Sequence, residues 1–279
     1  MHSFEYLEPR TVLDAVRHLS EYGARARVLA GGTDLLIQME TGKHRPEVVV
    51  NVARIEELRA ICERDSDLCI GAAVPLRQVE NHPAVVRLFP ALARGCREVG
   101  SVQIRNLGTL GGNICNASPS ADTSTALLAY DAVVDLAGPE GTVRHIPLNE
   151  FWLGPGKTVM EAGELLTSIR LPYPSEGTRA FYRKLAVRKA MDLAMVGVCV
   201  RVSPDPLQVR IALGAVGPRC YRALEAEAAV EQGGATAINA AAALARASAS
   251  PIDDQRASAN YRRDMVEVLT ARALRELLG

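Results

Sequence analysis

Apolar positions in the first part of the chain recur at alternating helical and strand periods. Val12, Val16 and Leu19 fall on one face of a helix that Thr11 can cap and Gly23 can end. A short apolar stretch over 27–30 reads as a strand and runs into Gly31-Gly32-Thr33-Asp34, and residues 35–39 resume as a short helix. Residues 47–52, Glu-Val-Val-Val-Asn-Val, are mostly apolar and of strand length, which predicts a buried strand. The first 55 residues or so therefore read as a small α/β unit.

The pattern then changes. Residues 68–72 predict a strand, 88–99 a helix, 100–113 a loop rich in glycine and polar residues, and 121–130 a helix. Residues 132–136 and 142–147 predict strands joined by Gly138-Pro139-Glu140-Gly141, a strong turn signal. A strand over 165–171 is stopped by Pro172 and Pro174. The Pro-Tyr-Pro-Ser-Glu-Gly stretch at 172–177 marks the expected domain boundary. It gives domains of 1–176, with subdomains of about 1–55 and 56–176, and 177–279. Beyond it, 181–187, 194–202 and 207–216 read as strands. An alanine-rich helix near 235–248 and a terminal helix near 258–278 follow, the latter with Tyr261, Met265, Val268 and Leu269 on one face. Strands followed by helices predict an α+β domain.

Composition narrows the function classes. At 279 residues the chain can bury a sizeable core, and 48% apolar with 23% charged residues is ordinary for a globular protein. Lysine plus arginine equals aspartate plus glutamate, 32 each, so no charge excess points to nucleic acid or an acidic membrane surface. The N-terminus lacks a basic start followed by an apolar run, and the longest apolar run, 193–200, is too short to span a membrane. A cytoplasmic location is expected, unless a partner chain carries an export signal. The six cysteines, at 62, 69, 96, 115, 199 and 220, form no C-x-x-C pair. Free, mostly buried thiols are expected, with no iron–sulfur or zinc site built from this chain.

Two segments carry candidate chemistry: Leu29-Ala30-Gly31-Gly32-Thr33-Asp34-Leu35 and Gly108-Thr109-Leu110-Gly111-Gly112-Asn113. In each, paired glycines lead into small polar residues. Glycine admits positive φ and close approach of the backbone to a ligand, and successive N–H groups can converge on a pyrophosphate. Thr33, Thr109 and Asn113 can add side-chain hydrogen bonds. Taken singly, each loop reads equally well as a tight turn. Neither fits G-x-G-x-x-G, and Gly156-Lys157-Thr158 has Phe151 where a phosphate loop needs its first glycine.

The two loops in this order resemble the FAD-binding subunits of the xanthine dehydrogenase and carbon monoxide dehydrogenase family, within the wider vanillyl-alcohol-oxidase type of flavoprotein. The likeness extends through residues 103–113, 117–122, 151–158, 164–169 and 184–188. It implies a two-part FAD-binding domain of that type followed by a smaller α+β domain, and one noncovalent FAD. Residues 29–35 and 109–113 would hold the pyrophosphate. Ser118 and Asp122 would line the pocket near the flavin's sugar-like chain, Asp122 having a helix N-cap as its ordinary alternative. Leu166, with Leu165 one position away, would touch the isoalloxazine; otherwise it is core. Lys184 would be a cation near the flavin, or else solvated or paired with an acid, and Ile104 would lie nearby. No histidine falls in either loop.

The resemblance also implies a division of labour. Substrate chemistry would occur at a molybdenum cofactor on a large partner, and two [2Fe-2S] clusters on a small partner would feed electrons to FAD here. The whole would be a dimer of three-chain units. Residues 116–125 run through without inserted cysteines, so no cluster is expected in this chain. No histidine, tyrosine or acid constellation suggests substrate acid/base catalysis by this chain, which counts against the alternative, a self-sufficient flavin reductase or oxidase.

Overall fold

The computed structural model describes residues 2–279. Helix Val12–Tyr22 is capped by Thr11, whose hydroxyl accepts from the Asp14 N–H, and it buries Ala15, Val16 and Leu19. It packs on three parallel strands, in the order Glu5–Leu7, Val48–Asn51, Ala26–Leu29. Val48–Asn51 is buried at every position because it lies between two neighbours in a sheet, as its apolar run predicts.

The next unit is a five-stranded antiparallel sheet in the order Ile61–Glu63, Asp67–Gly71, Leu165–Pro172, Val133–Ala137, Val143–Pro147. Its central strand is the last in sequence and carries a bulge between Leu166 and Ser168. Helices cover its apolar face, where Phe89 meets Tyr130 edge-on at 5.1 Å. Helix Asp122–Ala129 is buried at all of its residues.

Residues 173–178 lead to a four-stranded antiparallel sheet: Arg179–Leu185, Val196–Pro204, Leu207–Gly214, Tyr221–Arg222. Alternation sends Val196, Val198, Val200 and Val202 into the C-terminal core with helices Leu224–Gly233, Ile238–Ser248 and Ala259–Leu278. Cys199 and Ala212 face the other way, into the core of the preceding unit. Gly214 permits this approach: a Cβ there would lie 2.3 Å from Thr125 Oγ1 on the buried helix.

The fold is thus α+β, and four local expectations are corrected. Residues 100–113 hold two short helices, Val102–Leu107 and Leu110–Cys115, because Ser101 and Thr109 cap them with their hydroxyls. The helix expected over 88–99 is two, Pro83–Leu88 and Pro90–Glu98, broken at Phe89, since the residue before a proline disfavours helical backbone. Helix Leu224–Gly233 was not anticipated, and the following one begins only at Ile238. On the terminal helix the buried face is Arg262, Val266, Leu269, Ala273, Leu274 and Leu277, while Tyr261 is exposed. No helix among the described residues is long and apolar enough to cross a membrane.

Candidate functional site

Strand Ala26–Leu29 runs out of the small sheet into residues 30–34, and helix Leu35–Glu40 begins at once. Gly31 is pressed on the other glycine segment: a Cβ there would lie 1.9 Å from the Leu107 carbonyl oxygen. Gly32 has φ +73°, a conformation that L side chains resist. The N–H groups of Gly32, Thr33 and Asp34 meet no acceptor among the described residues. Thr33 Oγ1 lies against Gly108, so this loop rests on the start of the second. Leu29, Ala30 and Leu35 are half-buried around it.

The second loop is built differently. Thr109 caps helix Leu110–Cys115, accepting from the Gly112 N–H at 3.0 Å. The Leu110 and Gly111 N–H groups donate to Val74 and Ala72 carbonyls, and that of Asn113 donates to Thr109 O. Gly111 lies against the chain at Ala72, where a Cβ would meet backbone and side chain at 2.6 Å. Gly112 is exposed, with only Thr109 Oγ1 within 4 Å of an added Cβ. Leu110 is a core side chain. Asn116 Nδ2, just beyond, donates to Asp34 Oδ1 at 3.1 Å and ties the loops together. Burial pushes the Asp34 carboxyl up, with Lys43 pulling it partly back.

From Asn113 the site continues into the buried helix, because Thr123 Oγ1 donates to Asn113 Oδ1 at 2.5 Å. Asp122 precedes Thr123 and is the first helical residue. Ala121 occupies the N-cap, so the capping role considered for Asp122 is not the one it plays. Its oxygens are taken instead by the C-terminal sheet: Tyr182 Oη donates to Oδ1 at 2.5 Å and Lys184 Nζ to Oδ2 at 3.0 Å. Lys184 also donates to the Glu98 carbonyl at 3.1 Å, so it is the paired, buried lysine and not the solvated one. Burial pushes Asp122 up, and Lys184 and Tyr182 pull against it. Tyr182 is pushed well above its ordinary value, first by burial and then by Asp122.

The remaining candidates lie around this line. Ser118 is half-buried and its Oγ accepts from the Ser120 N–H. Ile104 is partly exposed on the short helix that leads to the second loop. Leu165 and Leu166 are both enclosed, Leu165 in the core of the N-terminal unit and Leu166 in that of the five-stranded sheet. Sequence reasoning missed Tyr182, Glu98 and Asn116. Only Tyr182 left a trace, being two residues from Lys184 and so on the same face of a strand.

This arrangement fits an extended anionic cofactor with a pyrophosphate. Free N–H groups and a left-handed glycine stand beside an open glycine at a helix start, and one buried cation lies further along. The six thiols are free, and among the described residues no cluster of histidine, cysteine and acid side chains is placed to hold a metal.

Residues 2–174 match the family of the FAD binding domain in molybdopterin dehydrogenase, and 180–277 match the CO dehydrogenase flavoprotein C-terminal domain. The chain is 32% identical to the xanthine dehydrogenase FAD-binding subunit of Escherichia coli O157:H7, over 98% of this chain and 96% of that one. Carbon monoxide dehydrogenase from Hydrogenophaga pseudoflava has a chain of the same fold, with a TM-score of 0.90 and 36% identity over 98% of this chain and 96% of its own. Quinoline 2-oxidoreductase from Pseudomonas putida 86 gives a TM-score of 0.91 at 27% identity, covering 99% and 97%.

Proposed function

The chain belongs to the family of FAD-binding subunits of molybdopterin dehydrogenases, and from that premise we propose that it is the electron-exit subunit of a three-chain molybdenum hydroxylase. The observation that carries this reading is the match of both halves of the chain, in order, to that family's flavin-binding and C-terminal domains. The protein is an oxidoreductase subunit with FAD as its cofactor. The relatives are themselves subunits, including carbon monoxide dehydrogenase medium chains and a nicotinate dehydrogenase FAD-subunit, which disfavours a self-sufficient flavoenzyme.

FAD supplies the ability to accept electrons one at a time and give them up in pairs. The chain's own residues bind and orient it. Gly32, Thr33 and Asp34 offer backbone donors to the pyrophosphate. Gly112 leaves room for it, and Thr109 and Asn113 hold the frame of the second loop. Ala30, Gly31 and Gly111 shape the floor, with Leu29, Leu35 and Leu110 packing beneath. Ser118 and Asp122 would line the continuation of the pocket, while Ile104, Lys184 and Leu166, or its neighbour Leu165 in its place, would lie by the ring system. Lys184, paired with Asp122, would set the local field at the ring as one half of an ion pair and not as a free cation. The partners are a large molybdenum-cofactor subunit and a small subunit with [2Fe-2S] clusters, in a cytoplasmic dimer of heterotrimers with the domain limit of this chain at 176/177.

Deflavinating the purified complex and mixing it anaerobically with its substrate tests the order of transfer. Bleaching of the iron–sulfur absorbance should survive while delivery to the acceptor stops. Clusters that stay oxidised until FAD is restored would place the flavin before them and overturn the reading. Affinity isolation of the tagged chain should bring down two further chains with molybdenum, iron and FAD.

A further inference from the structure

Strand Arg179–Leu185 has two faces with different duties. Phe181 and Leu185 pack against the C-terminal core, whereas Tyr182 and Lys184 reach across to the helix that begins at Asp122. Tyr182 is buried, and its hydroxyl has one acceptor, Asp122 Oδ1. Among the described residues, both side-chain hydrogen bonds of Asp122 come from this strand of the opposite sheet. Lys184 is fixed at two points, Asp122 Oδ2 and the Glu98 carbonyl.

We propose that Tyr182 is a positioning residue of the flavin site: its phenol fixes one oxygen of Asp122, so that the other neutralises Lys184 and the charge facing the flavin is held constant. The inference rests on the flavin reading above. Its physics is that of a buried ion pair, which tolerates low dielectric surroundings only when the remaining lone pairs are bonded. The charged or titratable groups facing Asp122 are Lys184 and Tyr182 from the strand, Glu98 and Cys96 from helix Pro90–Glu98, and Cys220 from beyond the third strand of that sheet. Tyr182 and Lys184 favour the carboxylate, while Glu98 opposes it. Without the phenol, burial wins and Asp122 takes up a proton at higher pH than before, leaving Lys184 as an uncompensated cation beside the flavin.

The test is Tyr182→Phe in the full chain within its complex. Flavin content should stay within about twofold of wild type. At a fixed applied potential the ratio of reduced to oxidised flavin should rise on the order of tenfold, the equivalent of one pKa unit. The difference should be confined to the pH window between the Asp122 midpoints of the two proteins, vanishing above it, where Asp122 is ionised in both, and below it, where Asp122 is protonated in both. Asp122→Asn should show the same shift without the pH dependence, and adding Tyr182→Phe to it should change nothing further. Equal potentials at every pH, or additive effects of the two substitutions, would overturn the proposal. Carboxyl 13C titration of Asp122 in the flavin-free full chain separates this from the flavin reading itself. A midpoint raised by Tyr182→Phe supports the positioning role even if the wild type bound no flavin, and an unmoved midpoint ends it.

Discussion

In the first glycine loop the N–H groups of residues 32–34 meet no acceptor among the described residues, whereas in the second the N–H groups from Leu110 to Asn113 are all bonded within the chain. The segments look alike in sequence, each a glycine pair followed by small polar residues. In both, the first glycine is a packing residue: Gly31 lies on the Leu107 carbonyl and Gly111 on Ala72. The second glycines diverge. Gly32 takes a left-handed conformation in a stretch whose donors have no acceptor among the described residues, and Gly112 sits in a capped helical turn with open space beside it. The first loop is therefore the donor cradle and the second a braced wall. A repeated motif need not mean a repeated role, because the fate of each N–H group is settled by what packs behind it.

The largest effects should come from the packing glycines, where the comparison predicts similarity. Gly31→Ala and Gly111→Ala each drive a Cβ into backbone, at 1.9 and 2.6 Å. Each should cost about 3 kcal/mol of stability, the upper part of the range for overpacking, with flavin lost as a consequence. Urea unfolding of the two variants checks this, and an alanine tolerated at either site would show that the loops do not touch the backbone as described.

The second glycines should separate the loops. Gly32→Val places a branched side chain at φ +73° and should cost about 1–3 kcal/mol as well as flavin. Gly112→Val meets only Thr109 Oγ1, at 3.0 Å, so its stability loss should be at most about 1 kcal/mol, that of a weakened cap. Flavin should nevertheless be lost, because the side chain fills the open space. Melting temperature and flavin stoichiometry measured on both variants decide the matter. Equal melting losses would erase the distinction between cradle and wall.

Much of this was legible beforehand where the signal is local. The buried strand Val48–Asn51, the Thr11 cap and the glycine pairs all announce themselves within a few residues. The short helices after Ser101 and Thr109 are masked in the sequence by their glycine-rich, polar surroundings, while in the fold those two hydroxyls cap them. Helix Leu224–Gly233 has no capping side chain at Ala223, and only Glu225 and Glu227 in its first turn and Gly234 at its end mark it. The roles of Gly31 and Tyr182 depend on partners distant in sequence, Leu107 and Asp122, and no spacing rule could supply them. The same holds for Leu165 and Leu166, neighbours in one strand that the pleat sends into different cores.

The smallest effect concerns the link between the loops. Asp34 closes the first loop and accepts from Asn116, just past the second. Asp34 is an exposed residue, yet partial desolvation pushes its carboxyl up from its ordinary value, with Lys43 partly offsetting this. An acid raised in the folded state binds its proton more tightly there than in the unfolded chain. Its contribution to stability is thus present below the ordinary carboxylate range and is lost as pH rises through the raised value. The same titration bears on the cradle, because an ionised Asp34 repels a pyrophosphate held by its own and its neighbours' N–H groups. Flavin affinity should therefore strengthen modestly as pH falls through that window. Asp34→Asn should flatten the dependence while preserving the acceptor that Asn116 needs, and its affinity at neutral pH should match that of the wild type at acid pH. Flavin fluorescence titrations of both proteins from pH 4 to 8 make the comparison. If the two profiles run parallel, the cradle lies too far from Asp34 to feel its charge, and the donors would have to be sought on the Gly32 side of the loop alone.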